Sequence, residues 1–308
     1  MRKTQHWVTL GAAMVVAGVF FIAQDGLASR PAYHRAQALY AGPVDKVIAV
    51  GHRGAKHFAP ENTLASYDKA VALGARVVEI DARATADGHF VAMHDPWVNR
   101  TTDGAGLVSM LTLAEIERLD AGSWFGAEFA GEKVPTLREA LRHLKGRAAI
   151  DIDFKSGPAN SGELIAAILD EEGYADGPLV TIFARAWSYD KVKAASPRYA
   201  LRPVWRGRDL AGRQAHEDGV EIFGMRRRAF SFERAQEIRN DGFTLFANTM
   251  GADDNERSFA DNVLAGARFI QTDNLDLLAP FLAERGLLMT CVPARDFSCW
   301  TPRQEVVS

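Results

Sequence analysis

The stretch GHRGAKHFAPENT, Gly51 to Thr63, follows directly on an apolar run, Val47 to Val50. A β-branched run that stops at Gly-His-Arg-Gly reads as a buried strand emerging into a loop. Pro60-Glu61-Asn62-Thr63 then opens a helical pattern, LASYDKAVALG, with Asn62 or Thr63 placed to cap it. The first unit is therefore strand, loop, helix, and its loop carries a histidine and an arginine at the strand's exit.

The same unit recurs downstream. Apolar, β-rich runs appear at Val47–Val50, Arg76–Ala82, His89–His94, Ala148–Phe154, Leu179–Phe183, Ala200–Trp205, Val220–Gly224, Phe243–Ala247 and Arg268–Thr272. Helix-like segments such as Leu137–Leu144, Gly162–Glu172 and Phe232–Asp241 separate most of them. Alternation of this kind implies a parallel sheet with right-handed crossovers. Repeated over residues 46–285, it implies an α/β fold, a closed (β/α)8 TIM barrel. Nine candidate strands compete for eight places, so one lies outside the barrel. Asp87-Gly88 joins the second and third runs with no room for a helix, a hairpin-like break. Residues 96–134 form a long insert with one short helix, Leu113–Leu119, expected as a small cap after the third strand and over the face where barrels place their sites.

The termini read differently. Arg2 and Lys3 precede an apolar run, Trp7 to Ala23, and Gly26-Leu27-Ala28 offers small residues at a signal-peptidase spacing. Residues 1–28 are expected to be an export signal, with an uncleaved membrane anchor as the alternative, and 29–45 a linker. A periplasmic or secreted location follows. Only Cys291 and Cys299 are present, in a tail of residues 286–308 expected outside the barrel. In an exported chain this pair is expected to form a disulfide. Against 39 acidic residues stand 36 Lys and Arg, and the one basic cluster, Arg226-Arg227-Arg228, reads as a solvated loop after a strand. No nucleic-acid partner is expected, a membrane only through the N-terminal segment, and the oligomeric state is open.

Chemistry-bearing residues gather at the strand ends. His52 and Arg53 end the first run. Glu79 and Asp81, two apart in VVEIDAR, share one face of the second because side chains alternate along a strand. His94 ends the third, and Asp151, Asp153 and Lys155 share a face of the fourth. Inward carboxylates on adjacent strands repel one another unless a cation intervenes, and carboxylate oxygens favour Ca²⁺ or Mg²⁺. His34, His57, His89, His143 and His216 read as surface residues.

The ordered string HRG-x5-PENT, E-x-D, HD with RTTDGAG, LDAGSWF and VPTL resembles the glycerophosphodiester phosphodiesterase family, related to the phospholipase-C-like TIM barrels, from about His52 to Lys155. The resemblance implies hydrolysis of a small-molecule glycerophosphodiester to sn-glycerol 3-phosphate and an alcohol. It implies catalytic roles for His52 and His94, phosphate binding by Arg53 and Lys155, and one divalent cation on Glu79, Asp81 and Asp153. Two positions depart from the family: Asp153 stands for the usual glutamate, and Phe246-Ala247-Asn248-Thr249 for Trp-Thr-Val-Asn. Which histidine is the acid is left open, His94 beside the insert being the provisional choice. A lysophospholipase D or another phospholipid phosphodiesterase on the same barrel is the alternative activity, with Leu107, Val108, Met110, Trp124 and Phe125 available to line an acyl groove. A non-catalytic phosphodiester-binding protein would not require two histidines.

Overall fold

The computed structural model describes residues 46–185, 187–195, 198–205 and 220–293. The expected export signal, the linker, His34, His216 and Cys299 lie outside the described residues. Nine strands form one sheet: β1 Ile48–Gly51, β2 Val77–Ala84, β3 Phe90–Ala92, β4 Ala149–Ser156, β5 Val180–Ala184, β6 Ala200–Pro203, β7 Ile222–Arg226, β8 Thr244–Asn248 and β9 Phe269–Thr272. Eight run parallel in the order β6-β5-β4-β2-β1-β9-β8-β7. The ring closes where Trp205 N–H donates to Gly224 O at 2.9 Å, beside a parallel bridge between Val204 and Gly224.

The ninth strand is the one outside the barrel. β3 pairs antiparallel with β2, Ala82 opposite Ala92, so it is the return arm of a hairpin. The insert follows the third strand, as expected, but that strand is the return arm of the hairpin and not a member of the ring; β4 is the next strand of the ring. A register shift at Ala82/Arg83 bends β2 where it leaves the ring for the hairpin.

Strand alternation sorts the core into two layers. Ile48, Val50, Val77, Ala149, Ile222, Phe246 and Phe269 pack together inside the barrel. The intervening residues, among them Ala49, Val78, Ile80, Ile150 and Ile152, pack outward with helices α1 Leu64–Ala72, α3 Leu137–Leu144, α4 Ser161–Glu171 and α8 Leu275–Glu284. The helices are capped as their sequences suggest. Thr63, not Asn62, caps α1 through a bond from Ser66 N–H, and Thr136 with Glu139 forms a capping box on α3.

Two smaller features complete the frame. The insert has its own core of Val98, Val108, Ile116, Ala121 and Val134, packed with Val91 and Met93 of the hairpin arm. The tail, expected outside the barrel, instead floors it over its described part. Val47 N–H donates to Leu287 O, Leu179 N–H donates to Pro293 O, and Met289 is buried among the inward residues. Among the described residues no helix is long and apolar enough to cross a membrane.

Candidate active site

The loop after β1 is held by glycine at two positions. A Cβ on Gly51 would lie 2.7 Å from the carbonyl oxygen of Gly54, and one on Gly54 (φ +84°) would lie 2.3 Å from Ser66 Oγ. Between them Arg53 adopts a left-handed backbone, φ 55°. That turn aims its N–H at Glu79 Oε2, 2.7 Å away, and sets its guanidinium against Asp81 Oδ2 (3.2 Å) and Glu61 Oε1 (2.9 Å). Asn62 is also left-handed, φ 58°. Its side chain clasps Asp81, donating to Oδ2 at 2.8 Å and accepting from the backbone N–H at 3.2 Å. Read from the sequence only as a candidate cap, Asn62 is a site residue.

The parallel register of β2 and β4 places like charges side by side, Glu79 beside Asp151 and Asp81 beside Asp153. Such neighbours destabilise a sheet unless countered. Asp151 is countered by Arg202 of β6, whose Nε donates to Oδ1 at 3.0 Å, and by Thr181 Oγ1 at 2.6 Å. It is thereby withdrawn into the barrel interior and is no part of the remaining acidic group. Ligand oxygens of Glu79, Asp81 and Asp153, all buried, lie within 4.8 Å of one another.

Do these three fit a divalent cation? Hard oxygen donors at this spacing suit Ca²⁺ or Mg²⁺. Asp81 Oδ1 is buried without an aligned hydrogen bond, although Lys155 Nζ is 2.9 Å away. Burial, with Asp81 and Asp153 beside it, pushes the Glu79 carboxyl well above its ordinary range. Burial alone would also raise Asp81, but Lys155 and Arg53 outweigh it and hold this carboxyl well below. Asp153 meets Arg185 Nη1 at 2.7 Å and Lys155 Nζ at 2.6 Å. The set fits a hard divalent cation, with Glu79, which among the described residues accepts only from the Arg53 N–H, the least occupied ligand.

Both histidines are anchored in the same way. His52 Nδ1 lies 2.6 Å from Asp273 Oδ1, and His94 Nδ1 lies 2.6 Å from Asp95 Oδ1. A carboxylate on Nδ1 fixes ring orientation and turns Nε2 over to chemistry. Asp273 is held in turn by Lys56 Nζ on Oδ2 at 2.9 Å, and its N–H donates to Asp254 at 2.6 Å. Arg83 donates to the His94 carbonyl at 2.6 Å, tying the hairpin back to β2. Burial lowers the His94 imidazole below its ordinary range, with Arg53 and Lys155 adding to the effect against Asp81 and Asp95.

His52, Arg53, Glu79, His94, Asp153 and Lys155 open onto one cavity of about 410 Å³. Asp81 lies beneath it. The seven residues expected to carry the chemistry, His52, Arg53, Glu79, Asp81, His94, Asp153 and Lys155, are thus brought together, and Asp151, on the same strand face, is not among them. Arg185, Arg202, Arg226, Arg228, Asn248 and Gln271 also line this cavity, and sequence reading missed all six. Arg226 and Arg228, expected in a solvated loop, are exposed to the cavity mouth. Arg185 carried no signal; Asp95 stood in the quoted HD stretch and Asp273 directly after the last strand run, Arg268–Thr272, and both went unassigned. His57 is exposed, as expected, while His143 binds Asp68 at 2.8 Å on the surface. None of Leu107, Val108, Met110, Trp124 and Phe125 lines the cavity; Val108 is buried in the insert core.

Cations for a charged substrate, with two oriented imidazoles for proton transfer, suit a barrel hydrolase acting on phosphate diesters. The sequence matches the Glycerophosphoryl diester phosphodiesterase family over residues 52–219. This chain belongs to that family. It is 40% identical over 161 residues to a glycerophosphodiester phosphodiesterase of Caldanaerobacter subterraneus subsp. tengcongensis, covering 51% of this chain and 65% of that protein. To the mouse glycerophosphodiester phosphodiesterase 1 it is 33% identical over 213 residues, 61% of this chain and 64% of that one. The chain spans less than two thirds of the length of these curated relatives. A glycerophosphodiester phosphodiesterase structure from Agrobacterium tumefaciens superposes with a TM-score of 0.65 at 29% identity, covering 76% of this chain and 99% of that one. An Oleispira antarctica phosphodiesterase, solved with the product sn-glycerol-3-phosphate, superposes with a TM-score of 0.69 at 27% identity over 77% and 96% of the two chains.

Proposed function

We propose that this protein hydrolyses glycerophosphodiesters to sn-glycerol 3-phosphate and an alcohol, with a divalent cation, Ca²⁺ or Mg²⁺, held by Glu79, Asp81 and Asp153. The observation that carries the reading is the pair of imidazoles, His52 and His94, each carboxylate-anchored at Nδ1 and each lining the cavity that holds the acidic group. Support comes also from the solved relative that contains sn-glycerol-3-phosphate.

A phosphodiester resists nucleophiles because it is an anion. The cation, when bound, supplies charge neutralisation on the non-bridging oxygens. Arg53 adds to it from a guanidinium fixed by Glu61 and Asp81, and Lys155 from its place between Asp81 and Asp153. His94, which burial shifts toward the neutral form, takes the proton of the attacking hydroxyl at Nε2. His52, oriented by Asp273, gives a proton to the departing alkoxide. This assignment reverses the provisional one, because burial and two neighbouring cations oppose a charged His94.

Incubating purified protein with glycerophosphocholine, glycerophosphoglycerol and lysophosphatidylcholine, each with Mg²⁺ or Ca²⁺, tests the reading. Release of sn-glycerol 3-phosphate from the first two is expected. Cleavage of the lysophospholipid alone would assign a lysophospholipase D instead.

We infer from Arg2, Lys3 and the Trp7–Ala23 run that the protein is exported, and that Cys291 pairs with Cys299 there. Mass spectrometry of protein recovered from an oxidising compartment checks the pairing; two free thiols would refute it.

A further inference from the structure

The wall of the cavity facing the acidic group has no role in the chemistry just derived, yet it carries two arginines, Arg226 and Arg228. In the ring order, β7 stands four places from β2 in either direction, so Arg226 at the end of β7 is across the mouth from Glu79 and Asp81. Arg226 alternates with Ile222 and Gly224 onto the inner face. Arg228 follows it into the same lining. The other cations of the cavity are matched by acids: Arg53 with Glu61 and Asp81, Lys155 and Arg185 with Asp153, Arg202 with Asp151. Among the described residues Arg226 and Arg228 have no such partner. The one acid among the described residues on their side of the lining is Asp253, so the described part of that wall is net positive.

A second observation bears on the same question. A quaternary ammonium leaving group is held by open aromatic faces. Among the described residues Phe183 is the one aromatic lining the cavity, and its face is taken by guanidinium groups, Arg202 at 4.4 Å and Arg185 at 5.0 Å from the ring centroid. Phe246, which stands where the family has tryptophan, is covered by Arg202 at 3.8 Å. Among the described residues of the lining no open aromatic face is left for a quaternary ammonium group.

We propose that the preferred substrates are glycerophosphodiesters whose alcohol itself carries a second anion, a carboxylate or a phosphate monoester, received by Arg226 and Arg228. The inference rests on the phosphodiesterase reading above and names the substrate class of that site. With the scissile phosphate between Arg53, Lys155 and the cation that Glu79, Asp81 and Asp153 would hold, the alcohol would extend across the mouth to β7. Asn248 and Gln271, bonded to each other at 2.6 Å beside Arg226, present amide groups to its hydroxyls.

The test compares kcat/KM at fixed ionic strength, with saturating divalent cation, for four diesters of glycerol phosphate. Their alcohols are choline, glycerol, glycerate and glycerol phosphate. The two anionic alcohols should exceed glycerol by roughly tenfold, the size of one charge-assisted contact at a wet surface, and choline should fall below glycerol. The advantage should sit in KM and shrink as salt rises. In an Arg226→Gln/Arg228→Gln variant the anionic-to-neutral ratio should fall to near one, while Arg226→Lys/Arg228→Lys should keep most of it. Circular dichroism checks that each variant is folded. Equal rates on all four diesters, or a ratio unchanged in the glutamine variant, would overturn the inference and leave hydrolysis standing. Failure to cleave any of the four would overturn the phosphodiesterase reading itself, and this inference with it. The glycerate and phosphate arms decide which anion is received.

Discussion

His52 and Asp273 are 221 residues apart in the chain, yet their side chains meet at 2.6 Å, because β1 and β9 are neighbours in the ring. The bond needs both strand ends in register, and Asp254 holds the Asp273 backbone while accepting from Thr272 and Thr249.

Asp273→Asn should therefore lower kcat on the order of tenfold to a hundredfold with little change in KM, less than loss of the imidazole itself. Lys56→Gln removes the other partner of Asp273 and serves as the comparison. Equal kcat in Asp273→Asn and the parent enzyme would show that the bond does not orient His52 for turnover.

Cation dependence should follow the acidic group. Exhaustive chelation should abolish activity, and re-addition of Mg²⁺ or Ca²⁺ should restore it. Asp81→Asn should lose both bound metal, measured by elemental analysis, and activity. Asp153→Glu should keep binding or shift the preferred ion, whereas Asp153→Ala should leave Arg185 and Lys155 without their shared carboxylate and abolish it. Full activity after chelation would remove the cation from the mechanism.

The two histidines should separate on an activated substrate. Replacing either by Ala should cost on the order of 10²–10⁴-fold with a natural alcohol leaving group. A p-nitrophenyl diester leaves as a stabilised anion and hardly needs protonation. His52→Ala should be rescued selectively on it, and His94→Ala should not. The opposite pattern would return the acid role to His94.

Acid stability should depend on the Asp95–Arg100 pair. A hydrogen bond from Arg100, with His94 adding, holds the Asp95 carboxyl at about 2. Since its folded value lies below its unfolded one, the stabilisation is complete above pH 4 and disappears as pH falls toward 2. The pair is largely exposed, so the effect is small. Arg100→Gln should flatten the fall in Tm between pH 4 and 2, measured by calorimetry. Because Arg100 also binds Glu61 at 2.7 Å, the same variant loosens the insert from the Arg53 loop.

The buried Asp151–Arg202 pair is a matter of stability. Asp151→Asn leaves Arg202, 1% exposed, without its counter-charge, and should cost about 3–5 kcal/mol by denaturant titration. Asp151→Leu with Arg202→Met should cost less, since no unmatched charge remains. Gly224 belongs to this pair as well: a Cβ there would lie 2.9 Å from Arg202 Nη1.

Local pattern was enough for the strands, the barrel class and the core of the site. Period-two alternation puts Glu79 with Asp81, and Asp153 with Lys155, on one face whatever the rest of the chain does. Strand ends next to HRG and HD mark the mouth, because barrels carry their chemistry on that side. What the pattern could not reveal were partners set by how the strands assemble. Arg202 reaches Asp151 from two strands away, Arg185 reaches Asp153 from the neighbouring strand, and Asp273 reaches His52 because the first and last strands of the sheet pair. β3 reads as one more strand, and although the Asp87-Gly88 break marks a hairpin, it is the antiparallel pairing with β2 that decides which of the nine lies outside the ring. Arg226 and Arg228 have the look of an exposed loop, since arginine is commonly exposed; the cavity gives that exposure a direction. Sequence determines what each strand presents, through backbone stereochemistry that repeats every two residues. Which side chains then face one another depends on how the sheet closes, a property no single segment carries.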